Sequence, residues 1–193
     1  KNLIIKNGYK GKGGAIFISG SARYTIINCT FINNAKNGAA IYNNVEGGSL
    51  SITSSVFDSN TAYGAIYSKG DVYVDESKFT SNTARDGGAI YSEKSVYVSS
   101  SSFSSNKATG YIGEQDEGGA IYAKGIIFAE NCNFTDNTAD LGGAIYGRNY
   151  VFIDNYTFKG NKAKAGGAIY KTNDGHVVVS HSSFSNNEAT GDG

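Results

Sequence analysis

The chain has 193 residues, with 17 basic and 17 acidic side chains, so its formal net charge at pH 7 is zero. That balance, with only three arginines (Arg23, Arg85 and Arg148), argues against a nucleic acid or an anionic membrane as a partner gathered by long-range charge. No run of about 18 apolar residues exists to span a membrane, and the absence of Pro beside abundant Gly, Ser, Asn and Tyr fits a chain committed to strands and turns.

Read from the N-terminus, the first recurring word is Gly13-Gly-Ala-Ile-Phe17. Near-copies follow with their alanines at Ala40, Ala65, Ala89, Ala120, Ala144 and Ala168. A second word, Phe-x-x-Asn, recurs at Phe31–Asn34, Phe57–Asn60, Phe79–Asn82, Phe103–Asn106, Phe134–Asn137, Phe158–Asn161 and Phe184–Asn187. The steps from Ala15 onward are 25, 25, 24, 31, 24 and 24 residues. A fixed period of this size marks a solenoid, in which each unit needs its neighbours to bury a core.

Cys29 and Cys132 each stand two residues before a repeat Phe, in the same column and four coils apart. At about 4.8 Å per coil they are roughly 19 Å distant, beyond disulfide reach. They read as small core residues equivalent to Ser55, Ser77, Ser101 and Ser182.

The unit from Gly87 to Asn106 shows the plan of one coil. Gly87–Tyr91 is a short strand, Ser92–Ser95 a turn, Val96–Val98 an alternating strand, and Ser102-Phe103 leads into a third. Three short strands and three bends in about 24 residues describe one rung of a right-handed parallel β-helix, here of about seven coils and roughly 35 Å long. No stretch carries the 3.6-residue period of a helix. The aliphatic pairs Leu50/Ile52, Val72/Val74, Val96/Val98, Val151/Ile153 and Val177/Val179 point inward with the repeat Phe and Ile. The repeat Asn sits at a bend, where its amide bonds to the coil above or below.

Together the two words resemble the repeats of the polymorphic outer-membrane proteins of chlamydiae, which also occur in adhesin-like surface proteins of methanogenic archaea. The resemblance runs from Gly13 to Asn187 and implies a right-handed parallel β-helix used for attachment at a cell surface. The chlamydial proteins are richer in Cys than this chain. Gly38-Ala39-Ala40 and Tyr63-Gly64-Ala65 each lack one Gly of the pattern, and Phe17 replaces its Tyr.

Four features depart from pure scaffold. Six residues before the repeat Phe, alternation turns Tyr73, Tyr97, Phe128 and Phe152 outward as an aromatic stripe. It is either a row on which sugar rings stack or a sheet-stabilising ladder. The Tyr column from Tyr42 to Tyr170 is expected to face water, its hydroxyls solvated. Between Asn106 and Ala120 lies a seven-residue excursion carrying Tyr111, Glu114, Asp116 and Glu117, candidate binding residues on a loop. Its spacing matches no EF-hand, and no metal or cofactor is assigned. Four residues before Phe come Asp75, Glu130 and Asp154, a carboxylate stack with His181 one coil further on.

The sequence reads as one β-helix segment, residues 1–193, of a longer extracellular or cell-surface protein. Its expected role is non-catalytic attachment to a cell-surface glycan or protein receptor, with neither nucleic acid nor a membrane span involved. A polysaccharide-active lyase or hydrolase on the same scaffold, and a purely structural stalk, stand as alternatives. The sequons at Asn28, Asn133 and Asn155 are compatible with that location.

Overall fold

A computed structural model describes residues 1–9, 11–20, 22–34, 38–110 and 113–191. Those residues form 26 short strands and no helix, so no helix is long and apolar enough to cross a membrane. Three long sheets run the length of the molecule, and every strand pair in them is parallel. The first, of eight strands from Ile4–Lys6 to Ser183–Ser185, carries the repeat Phe. The second, of seven strands from Gly13–Ile18 to Ile169–Lys171, carries the Ile-Tyr pair. The third, of seven strands from Arg23–Ile27 to Val177–Ser180, carries the alternating aliphatics. The fold is the expected parallel β-helix of about seven coils.

Register keeps equivalent residues in line: Phe57 pairs with Phe79, Tyr67 with Tyr91, Val96 with Val72. Inside, Phe31, Phe57, Phe79, Phe103, Phe134 and Phe158 are fully buried. They stack in one column with centroids 4.7 to 5.1 Å apart. Leu50, Ile52, Val72, Val96 and Val98 bury against them as alternation requires. Val177 and Val179 are exposed instead, because they lie in the terminal strand of their sheet. Both cysteines are free and buried, as their shared column demands.

The bends come from two columns of left-handed residues that bracket each Phe strand. Three residues before Phe stand Asn28, Ser54, Ser100 and Asn155; two after it stand Asn33, Ser59, Ser105 and Asn186, all with φ between 46° and 63°. Short polar side chains tolerate this conformation better than most. The ladder asparagine follows one residue later. Asn34, Asn60, Asn82, Asn106, Asn137 and Asn161 are buried, and each bonds to the amide oxygen of the next coil's Asn.

The glycine pair packs coil on coil. At Gly118, φ is +68° and an added Cβ would strike the Ile121 carbonyl oxygen at 2.2 Å. At Gly119 an added Cβ would meet the Gly143 carbonyl oxygen of the next coil at 2.0 Å. The first glycine serves the turn, and the second serves close backbone approach.

The tyrosine column does not stand in water as expected. Tyr42, Tyr122 and Tyr146 are buried, and their neighbours Tyr91 and Tyr170 are partly covered. The column does face away from the Ile side, but Leu141 and Ala165, in the connections leading into Gly-Gly-Ala-Ile, fold over it. Burial raises the phenol pKa values of Tyr67 and Tyr122 beyond the ordinary range.

Candidate functional site

The third sheet bears, on its outer face, a groove of about 340 Å³ lined by Tyr73, Tyr97, Phe128, Asp75, Ser99 and Glu130. Alternation builds it. Val72 and Val74 turn inward, so Tyr73 and Asp75 turn outward; Val96/Val98 and Ile127/Ala129 do the same for the next two coils. Parallel register then sets Tyr97 between Tyr73 and Phe128, and Ser99 between Asp75 and Glu130. The groove therefore has one aromatic rail and one polar rail, side by side.

The aromatic rail is not a flat platform. Tyr73 and Tyr97 stack face on face, 4.7 Å apart and 6° from parallel, so each hides one face of the other. Phe152 lies parallel to Tyr150 at 5.9 Å. Phe128 meets Phe152 at 6.5 Å and 42°, and among the described residues no ring stacks on it from the Tyr97 side. Phe128, 44% exposed, is thus the one ring of the four that no parallel neighbour covers. Tyr73 and Tyr97 thus pair as a sheet-stabilising ladder does, while Phe128 keeps a face that no parallel ring covers.

On the polar rail, Ser99 donates to Asp75 Oδ1 at 2.7 Å. Ser180 donates to Asp154 Oδ1 at 2.7 Å, and His181 Nδ1 lies 2.7 Å from the same oxygen. His181 first, then Ser180, holds the Asp154 carboxyl below its ordinary range. Asp75 and Glu130 make no ion pair among the described residues.

The insertion sits elsewhere, against the second sheet. Glu114 is bound by Arg85 at 2.9 Å. Asp116 accepts the Gly110 N–H through its side chain, and its carbonyl accepts Asp140 N at 3.0 Å and Leu141 N at 2.9 Å. The Glu117 carbonyl accepts Gly87 N at 2.9 Å, and Glu117 N donates to Asp86 Oδ1 at 3.1 Å. These three acidic residues are occupied in fastening the loop and are not brought to the groove. Tyr111 lies outside the described residues. No group of three or more His, Cys, Asp or Glu side chains among the described residues is disposed to hold a metal ion.

Two features escaped the sequence. Ser99 completes the polar rail, and its position four before Phe103 was the available signal. A second recess of about 160 Å³ opens at Tyr63, Tyr67, Arg85, Asp86 and Tyr91. It lies where the connection from Asn60 to Ala65 is shortest, a departure visible in the spacing.

The long sheets, the buried ladders and the period together define the family. No curated protein and no solved structure shows significant similarity to the chain. A family model described as right handed beta helix region matches residues 14–123 and 44–192. Those matches cover nearly the whole sequence, and the chain belongs to that right-handed β-helix family.

Proposed function

We infer that the chain is a non-catalytic, surface-displayed β-helix that attaches to a glycan on another cell. The observation that carries this reading is the groove on the third sheet. On its solvent face this sheet sets an aromatic column, Tyr73, Tyr97 and Phe128, directly beside the carboxylates Asp75 and Glu130. Its rails run along the coil axis, so an extended ligand would cross three coils. Phe128 supplies an apolar face for one sugar ring, and Ser99, the tyrosine hydroxyls and the carboxylates supply hydrogen bonds to sugar hydroxyls. The scaffold beneath is rigid, which limits the ordering cost of binding.

The test is a glycan array and a cell-binding assay with the wild type and with a Tyr73→Ser, Tyr97→Ser, Phe128→Ser variant. Binding by the wild type that is lost in the variant supports the reading. Blank results in both assays overturn it. Release of reducing ends or unsaturated products from a polysaccharide panel would move the chain to the enzyme reading.

A further inference from the structure

The charge of the groove narrows the ligand, on the reading that the groove binds a glycan. Asp75 and Glu130 both line it, and no Lys or Arg does. Arg23 stands beyond Tyr73, in an adjoining recess that shares Ser51 and Tyr73 with the groove and also holds Asp71. His181 is engaged with Asp154, the residue paired with Glu130 in the next coil, at 2.7 Å. Lys124, Lys162 and Lys164 each pair with a carboxylate away from the groove. The groove is therefore a negatively charged trough with hydrogen-bonding walls and no cation of its own.

Like charge disfavours one whole ligand class. A uronic-acid or sialic-acid chain would set its carboxylates against Asp75 and Glu130 with nothing to compensate them. A protonated amine reverses the sign and gives each carboxylate a charge-assisted hydrogen bond. Asp75 and Glu130 are two coils apart, about 9.6 Å, so the ligand must present ammonium groups at intervals along an extended chain. The hydroxyls of Ser99, Tyr73 and Tyr97 and the open face of Phe128 call for a partner that also has ring hydroxyls and an apolar ring face. We propose that the groove takes an amino-sugar polymer with free amines, its ammonium groups on Asp75 and Glu130 and one pyranose ring on Phe128.

Calorimetry with defined oligomers tests this. The probes are a glucosamine hexamer, its fully N-acetylated counterpart, a galacturonate hexamer and hexalysine, all at one low ionic strength. The proteins are the wild type, an Asp75→Asn/Glu130→Gln variant and a Tyr97→Ser/Phe128→Ser variant. These side chains are at least partly exposed, and circular dichroism verifies that both variants fold. The expected result is that the glucosamine hexamer binds the wild type at least about tenfold more tightly than the N-acetylated one, with the margin shrinking in salt. The Asp75→Asn/Glu130→Gln variant erases that margin, and Tyr97→Ser/Phe128→Ser weakens both sugars. Equal binding of the two glucosamine oligomers overturns the amine assignment but leaves the glycan reading standing. Preference for galacturonate overturns the amine assignment outright. Hexalysine binding as tightly as the glucosamine hexamer, and indifferent to Tyr97→Ser/Phe128→Ser, replaces the sugar with a general cation site. No binding of any oligomer to the wild type, together with a blank glycan array, removes both readings.

Discussion

Asn82 gives Asn106 two hydrogen bonds at a single atom: its backbone N–H and its side-chain amide both reach Asn106 Oδ1, at 3.1 and 3.0 Å. Asn106 in turn donates its own amide to the Phe79 carbonyl at 3.0 Å and to Asn137 Oδ1 at 3.0 Å. The side chain is fully buried, so water cannot replace these bonds. Asn106→Ala strands two donors of Asn82 and frees two acceptors. Each stranded buried group costs about 1–3 kcal/mol, so the expected loss is about 3–5 kcal/mol in all. Denaturant unfolding of the variant measures it, and a loss under about 1 kcal/mol would show that the ladder contributes order without stability.

A neighbouring ladder contains a fault. Along the column two residues before Phe, each backbone N–H bonds to the hydroxyl or thiol of the next coil: Ser55 to Ser77 at 3.0 Å, Ser77 to Ser101 at 2.9 Å, Ser101 to Cys132 at 3.3 Å. Tyr156 takes the next place. Its ring lies 5.8 Å from Phe134 and 5.6 Å from Phe158, and its buried hydroxyl, close to the Cys132 thiol, has no hydrogen-bond partner among the described residues. The Cys132 thiol beside it donates to the Glu130 carbonyl at 3.2 Å. Tyr156→Phe removes an unsatisfied polar atom while keeping the ring, and is expected to leave stability unchanged or raise it by about 1 kcal/mol. Tyr156→Ser restores the column's usual residue type but empties the ring's volume, at a cost of about 3–5 kcal/mol. Thermal melts of the two variants should therefore move in opposite directions or leave only the serine variant shifted. A destabilised Tyr156→Phe would reveal a bond to the hydroxyl.

These two ladders show why so much of the fold was legible. In stacked parallel strands a column is a single environment repeated, so Phe, Asn and Ser recur wherever that environment does. The outward stripe followed from alternation alone, and the structure places Tyr73, Tyr97 and Phe128 together as that implies. The covered tyrosines were not legible, because their cover comes from connections that do not repeat: Leu141 and Ala165 serve there, and Asp86 is their counterpart beside Tyr91. Ring orientation was not legible either. Periodicity assigns a side chain to a face, but not the 42° tilt between Phe128 and Phe152, whose ring lies parallel to Tyr150 instead.

Asp86 links stability to pH. Its carboxyl is pushed above the ordinary aspartate range, first by burial and then by the nearby Glu117 and Asp116 charges; the Glu117 N–H and Arg85 oppose the shift. The folded state thus holds the Asp86 proton more tightly than the unfolded chain does. Stability falls as pH rises through the interval between the unfolded and folded values, and the penalty is complete above the folded value. Asp86→Asn keeps an oxygen acceptor for Glu117 N, now bonded at 3.1 Å, and has no charge to desolvate. The variant should melt higher than the wild type at neutral pH, with the difference closing as the pH is lowered past the ordinary aspartate value. An offset that is the same at every pH would place the effect in packing instead.

The insertion divides into a removable tip and an anchored base, and two deletions separate them. The tip is tied down by Arg85 and Glu114, both about half exposed, a pairing worth at most about 1 kcal/mol. Removing residues 111–115 is therefore expected to shift the unfolding midpoint little and to leave groove binding intact, because the groove lies on a different sheet. Removing residues 109–117 also takes away the Asp116 carbonyl, which accepts Asp140 N and Leu141 N, and the Glu117 carbonyl, which accepts Gly87 N. Three backbone donors then lose their partners, and Leu141, which packs over Tyr122 and Tyr146, keeps only its carbonyl bond to Gly118 N. That deletion should cost at least about 3 kcal/mol and speed amide exchange at Gly87 and Leu141. If both deletions were equally mild, water would be serving the freed donors and the base would be as dispensable as the tip. If both were equally severe, the Arg85–Glu114 contact would be holding the whole excursion in place.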